Sequence, residues 1–338
     1  MYNKEIMKSI RATLRLLVPC LVLGFIVFVG LALLGDLREV SQLLLRFKWH
    51  YLVIALACTL LNYALRFLKW HYYLRQLGVT QLTVGQSMRL FVAGFPLAVT
   101  PGKVGEVLKG IWLNKASGLP VARGIAVVLA ERISDGLAVM LLSFLGVLAY
   151  PQYWPVFTAI LAILLAIIIL SQIRPAAIFL LDLSEKLPLF NRASRGLREF
   201  YEGSFSLFQP SATLVAVLLG TISWLGEGVG FYFILVGLGL EPGLNLLGEA
   251  VFVLAFSTAV GGASTLPGGL GAAEATIAIL LALALQNSQP AIISAATLLI
   301  RLATLWFGVA LGLITWSFSP DLLGFQLERE LTGQSTSS

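Results

Sequence analysis

Apolar residues run through this chain in blocks long enough to cross a bilayer, not in the short alternating stretches of a soluble fold. Runs at 16–35, 51–67, 124–149, 154–173, 211–238 and 290–317 each reach at least the ~17 residues used by the shortest membrane-crossing helices. They predict six transmembrane helices. The first follows Lys4, Lys8, Arg11 and Arg15 and ends Leu33-Leu34-Gly35-Asp36. It is longer than a signal-peptide core and has no small-x-small ending, so a retained span is expected. The second closes with Arg66, Lys69 and Arg75 among aromatics, an interfacial anchor pattern. Between them, 36–48 (DLREVSQLLLRFK) alternates charge and leucine at helical spacing, which predicts a helix lying in the interface.

Two further regions, 83–115 and 246–285, are apolar but broken in the middle by Pro101, Gly102 and Gly105 and by Pro267, Gly268, Gly269 and Gly271. A broken helix frees backbone amides that lipid cannot satisfy, so such breaks survive only inside protein or along a wet cavity. Re-entrant helical hairpins are the expected form. The two regions resemble each other: each has F-x-x-x-F (Phe91 to Phe95, Phe252 to Phe256), then Pro-Gly and a glutamate, Glu106 or Glu274. About thirty residues past each break comes a span holding an arginine, Arg132 or Arg301. Three spans separate the hairpins, so they enter from opposite faces as an inverted repeat, an arrangement that places a binding site near the midplane of transporters. The expected architecture is an all-α polytopic membrane protein, a single membrane domain over 1–338, with six transmembrane helices, two re-entrant hairpins and a cytoplasmic basic loop at 174–210.

Composition agrees. Of 338 residues 58% are apolar and 12% charged, against about 25% charged in soluble domains. The net charge of +6 is unevenly placed: with the N-terminus inside, eighteen Lys and Arg fall in cytoplasmic segments and three outside, as the positive-inside rule requires. Both termini are then cytoplasmic. Cys20 and Cys58 stand in apolar runs and read as small hydrophobes, while His50 and His71, beside Trp49 and Trp70, read as interfacial.

The remaining charges cost too much to be incidental, about 2.5–3.5 kcal/mol each at mid-membrane. Glu131, Arg132 and Asp135 share one span. Arg132 and Asp135, three apart, form an intrahelical pair or face a polar cavity. Glu227 sits between glycines in a span, and Arg301 has no acid within a turn. Its partner is Glu274, Glu227 or an anionic substrate. Helices expected over 104–114 and 271–285 begin at the breaks, where free amides beside Lys103 suit a phosphate; the alternative is a snorkelling lysine. Glu106 and Glu274 in first turns are ligands or macrodipole stabilisers. No metal-ligand cluster, phosphate loop or nucleophile–base motif appears, so no catalytic residues, metal or cofactor are expected. The loop 174–210 reads as a basic surface helix drawn to anionic lipid.

Arg66-Phe-Leu-Lys-Trp70, Leu77-Gly78, Pro101-Gly-Lys-Val-Gly-Glu106, Glu131-Arg-Ile-Ser-Asp135, Pro267-Gly-Gly-Leu-Gly-x-x-Glu274 and Leu299-Ile-Arg301 occur in this order. Together they resemble the family related to the transmembrane region of lysylphosphatidylglycerol synthases, over about residues 15–318. That resemblance implies lipid translocation: a flippase-like protein of a bacterial inner membrane, here without the soluble synthase domain and so without aminoacyl transfer. Membrane lipids are the implied partners; nucleic acid is not, and a homo-oligomer stays open. Lys103, Arg132 and Arg301 would meet an anion, with Glu106, Glu131, Asp135, Glu227 and Glu274 balancing them or meeting a cationic headgroup. A small-molecule or ion transporter and a membrane-embedded transferase on a lipid carrier are the alternatives.

Overall fold

Long helices form where apolar residues continue without a breaker. A computed structural model describes residues 36–100, 105–175, 177–179, 181, 191–285, 289–319, 321–322 and scattered positions between 18 and 33. No strand occurs among them. After a short helix α1 (Leu37–Arg46), capped by Asp36 accepting from the Arg38 N–H at 2.9 Å, comes the 27-residue α2 (His50–Gln76). Residues 51–67 were expected to form the second span, but nothing breaks the helix before Gly78, whose φ of 78° closes it as a left-handed cap.

The other helices are α3 (Val84–Ala93), α4 (Val107–Ser117), α5 (Val121–Ala149), α6 (Trp154–Gln172), α7 (Asn191–Leu207), α8 (Pro210–Gly237), α9 (Leu244–Ala263), α10 (Ala272–Ala284), α11 (Pro290–Arg301) and α12 (Phe307–Ser317). A π-helical turn, Leu302–Trp306, joins the last two. The expected spans 124–149, 154–173, 211–238 and 290–317 correspond to α5, α6, α8 and α11–α12. In the expected first span, the described residues of 18–33 are helical.

The packing is inverted relative to a soluble protein. Large apolar side chains such as Val53, Leu68, Ile163 and Leu170 face outward, while Arg66, Lys69, Glu131 and Asp135 are buried. That distribution is stable only with lipid as the outer solvent. By length and composition six described helical stretches can cross a membrane: His50–Gln76, Pro151–Gln172, Pro210–Gly237, Leu244–Ala263, Pro267–Ala284 and Pro290–Ser317. The chain is an all-α polytopic integral membrane protein.

Both broken regions are helix–break–helix units. In the first, α3 passes through a tight turn (Phe95–Val99) to α4; in the second, α9 passes through Pro267–Gly269 to α10. The units are unequal. Helix α3 has ten residues, about 15 Å, whereas the 20 residues of α9 extend about 30 Å, a full hydrocarbon thickness. The two breaks face each other: a Cβ placed on Gly268 would lie 3.0 Å from Val99 Cγ1. Around them α2 packs along α8, and α5 against both α8 and α9.

Candidate functional site

Helix α2 carries polar residues at alternating spacings of three and four: Thr59, Asn62, Arg66, Lys69 and Tyr73, all buried. This is the seam spacing of packed helices, so the stripe turns inward, towards α8 and α5. Asn62 Nδ2 donates to Ser223 Oγ of α8 at 3.4 Å. One turn on, Arg66 reaches Glu131 Oε1 at 3.1 Å and Asp135 Oδ2 at 3.3 Å. Lys69 pairs with Asp135. From α4, Lys109 Nζ approaches Glu131 Oε2 at 3.4 Å and lies 5.1 Å from the Trp70 ring centroid, a favourable cation–π placement.

Arg66 and Lys69 are therefore not interfacial anchors. Their side chains point into the protein because two carboxylates of α5 wait there, and a buried charge is tolerable only when paired. Arg132 and Asp135 do not form an intrahelical ion pair. Asp135 is held by α2, and Arg132 turns to Glu106 beside the first break, with contacts of 2.9 Å and 3.2 Å to its two oxygens. Arg301 chooses Glu274 over Glu227: Nε lies 2.6 Å from Glu274 Oε1, and a terminal nitrogen donates to the Gly268 carbonyl at 2.9 Å. Glu274 Oε2 also accepts from the Gly271 N–H at 2.7 Å, so Glu274 ties the helix start to the arginine. In each unit, then, the glutamate just past the break pairs with an arginine of the helix that follows.

These arrangements frame a cavity of about 170 Å³, comparable to the ~150 Å³ hole that admits benzene in an engineered core. Arg66, Arg132, Arg301, Glu227, Tyr63, Trp224, Ser257, Thr258 and the glycines 261, 262, 268 and 269 are on its wall. Glu227 is 4% exposed and has no hydrogen-bond or ion-pair partner among the described residues. Tyr63 donates to the Thr304 carbonyl at 2.7 Å, a group within the π-helical turn. Such turns are frequent at functional sites.

Of the residues singled out in the sequence, Arg132, Glu227, Arg301, Gly268 and Gly269 line this cavity. Glu106 and Glu274 stand behind it as partners of the arginines, and Glu131 and Asp135 are buried in the cluster with α2. Gly271 takes φ 85° at the start of α10, Pro267 opens the second break, and the Gly105 N–H donates to Thr100 Oγ1 at 2.9 Å. Pro101, Gly102 and Lys103 lie outside the described residues. Arg66, Lys69, Lys109, Tyr63 and Trp224 were not among the expected site residues. The 3–4 polar stripe on α2 was the signal that could have found the first two. Among the described residues no three His, Cys, Asp or Glu come together as a metal site would need.

Curated relatives of this chain carry the name of membrane proteins. A UPF0104 membrane protein of Methanothermobacter thermautotrophicus is 24% identical over 322 residues, 86% of this chain and 92% of its own length. A second from the same archaeon is 25% identical over 286 residues, covering 79% and 82%. A UPF0104 membrane protein of Methanocaldococcus jannaschii is 25% identical over 218 residues, covering 64% of this chain and 91% of the relative. No solved structure matches the chain. The lysylphosphatidylglycerol synthase TM region family matches residues 21–312, which takes in both breaks, the charged cluster and the cavity. The chain belongs to the lysylphosphatidylglycerol synthase TM region family.

Proposed function

We propose that this protein moves a lipid between bilayer leaflets, holding the headgroup in the cavity between the two breaks while the tails stay in the membrane. The observation that carries this reading is a cavity of about 170 Å³ walled by three arginines and by a carboxylate with no partner among the described residues. A space of that size takes a phosphate or glycerol group, not a whole lipid. Guanidinium groups present planar, forked donors that match phosphate oxygens. The arginines stand ready because Glu106, Glu274 and the Glu131–Asp135 pair fix their orientations. Repetition of the Arg–Glu pair across two broken units supports an inverted repeat with re-entrant breaks, whose halves rock to expose the cavity to each side in turn. On this reading the protein is a transporter, not an enzyme, and its partners are membrane lipids.

The test is reconstitution of the full chain in liposomes holding fluorescent lipids of several headgroups, with a membrane-impermeant reductant as the quench. Faster leaflet equilibration than in empty liposomes, lost in Arg301→Ala, is the expected result. Equilibration no faster than in empty liposomes for every headgroup would overturn the reading.

A further inference from the structure

Glu227 is the exception among the buried carboxylates. Glu106, Glu131, Asp135 and Glu274 each have a cationic partner at ion-pair distance, whereas Glu227, equally buried, has none among the described residues and lines the cavity. Among the described elements, α2, α5, α9 and α11 pack on α8. From α2, Cys58, Tyr63 and Arg66 face it; from α5, Asp135; from α11, Arg301. The single titratable side chain of α9, Glu249, stands instead beside Tyr150, beyond the end of α5. The cations facing Glu227 are thus Arg66 and Arg301, both already engaged by other acids.

Charge arithmetic gives this isolation a meaning. Arg132 with Glu106 and Arg301 with Glu274 are neutral pairs. Arg66, Lys69 and Lys109 form ion pairs with two carboxylates, Glu131 and Asp135, which leaves one positive charge in surplus among the described residues. An ionised Glu227 cancels that surplus when the cavity holds water alone. An entering anion with one negative charge cancels it too, and Glu227 would then be an uncompensated buried charge costing several kcal/mol. A proton on Glu227 restores neutrality.

Resting on the lipid reading above, we propose that this cavity binds a singly charged phosphodiester headgroup together with a proton, which Glu227 takes up as the anion enters. The proton comes from bulk water through the cavity mouth and forms an O–H bond on a Glu227 Oε; it returns to water when the anion leaves. Transport of an anionic lipid is then electroneutral and responds to a proton gradient, whereas a zwitterionic headgroup brings no proton. The linkage has a definite sign: anion affinity falls as pH rises above neutral, by up to about tenfold per unit for one coupled proton.

Calorimetric titration of the detergent-solubilised full chain with dihexanoylphosphatidylglycerol, in buffers of different ionisation enthalpy, counts the protons taken up. About one proton per lipid is expected above neutral pH, with none for dihexanoylphosphatidylcholine. Glu227→Gln, an isostere of the protonated form, should bind the anionic lipid without proton uptake and without pH dependence. Dimethyl phosphate carries the same charge without tails; uptake with it also supports the coupling, and its weaker binding would identify the lipid as the source of the phosphate. Binding of the anionic lipid without proton uptake, equal uptake with the zwitterionic lipid, uptake that persists in Glu227→Gln, or no binding at all would overturn the proposal. Lipid movement in liposomes without proton uptake on binding sinks the coupling and leaves the transport reading standing. Proton uptake on binding without lipid movement does the reverse.

Discussion

A buried ion pair is a poor source of stability but an expensive thing to halve, because the survivor is stranded in low dielectric. In this protein the two ends of one pair are not equally exposed to that penalty. Asp135 serves both Lys69 and Arg66, while Arg66 also reaches Glu131. Removing the acid in Asp135→Asn leaves three cations around a single carboxylate, Glu131, and should destabilise by about 3–5 kcal/mol. Removing the amine in Lys69→Met leaves Asp135 still 3.3 Å from Arg66 Nε, and the loss should be clearly smaller. Thermal unfolding in detergent, followed by tryptophan fluorescence, measures both; equal losses would show that Arg66 does not compensate Asp135. The same residues show what was legible beforehand. Arg132, Arg301, Glu227 and Glu274 stood out because each interrupts a long apolar run. Arg66 and Lys69 did not, because cations among aromatics near the end of a run look the same whether they turn out to a headgroup or in to a partner. Only the partners on α5 decide, and they lie more than sixty residues away.

At the level of elements, the breaks were readable in the chain and their joining was not. Proline and glycine announce a helix end by local sterics, so both breaks could be placed, and the helix starts expected at 104 and 271 fall at Val107 and Ala272. What local chemistry cannot state is that the two breaks touch, or that the leading helix of the second unit, with 20 residues, is twice as long as the ten-residue leading helix of the first. Contact at the second break depends on backbone that only glycine allows. Gly269 has φ 68°, and a Cβ there would stand 3.1 Å from the Gly261 backbone of α9. Gly269→Ala should therefore cost at least about 1–2 kcal/mol for the left-handed backbone alone, with more from the close approach. Gly262, next along α9, has open space where its Cβ would go, so Gly262→Ala, in the last turn of the helix, should be neutral or mildly stabilising, by less than the ~1 kcal/mol of an interior position. Tm values for the two variants in the same detergent test this contrast. Equal effects would mean that the second break is not held against α9 through Gly269.

For the whole molecule, the question is which end faces the cytoplasm. The structure joins the basic elements at one end. Arg123, at the start of α5, pairs with Glu199 of α7, and Arg174, just past α6, pairs with Glu202. Gln172 Nε2 further ties the end of α6 to the Phe205 carbonyl at 3.2 Å. The opposite ends of α5 and α6 meet at the turn Pro151–Tyr153, which carries no Lys or Arg. The 29 residues of α5 set these ends about 43 Å apart, enough to separate the two surfaces of a membrane. Basic segments stay on the cytoplasmic side during insertion, and each Lys or Arg near anionic headgroups there adds about 1 kcal/mol. Two exposed positions report the orientation: Gln152 in the uncharged turn and Gly196 on α7, where a Cβ meets open space. With Cys20 and Cys58 changed to Ala, Gln152→Cys should react with a membrane-impermeant maleimide in intact cells, and Gly196→Cys only after permeabilisation. The reverse pattern would put the basic end, with Arg123 and Arg174, outside, against the positive-inside rule.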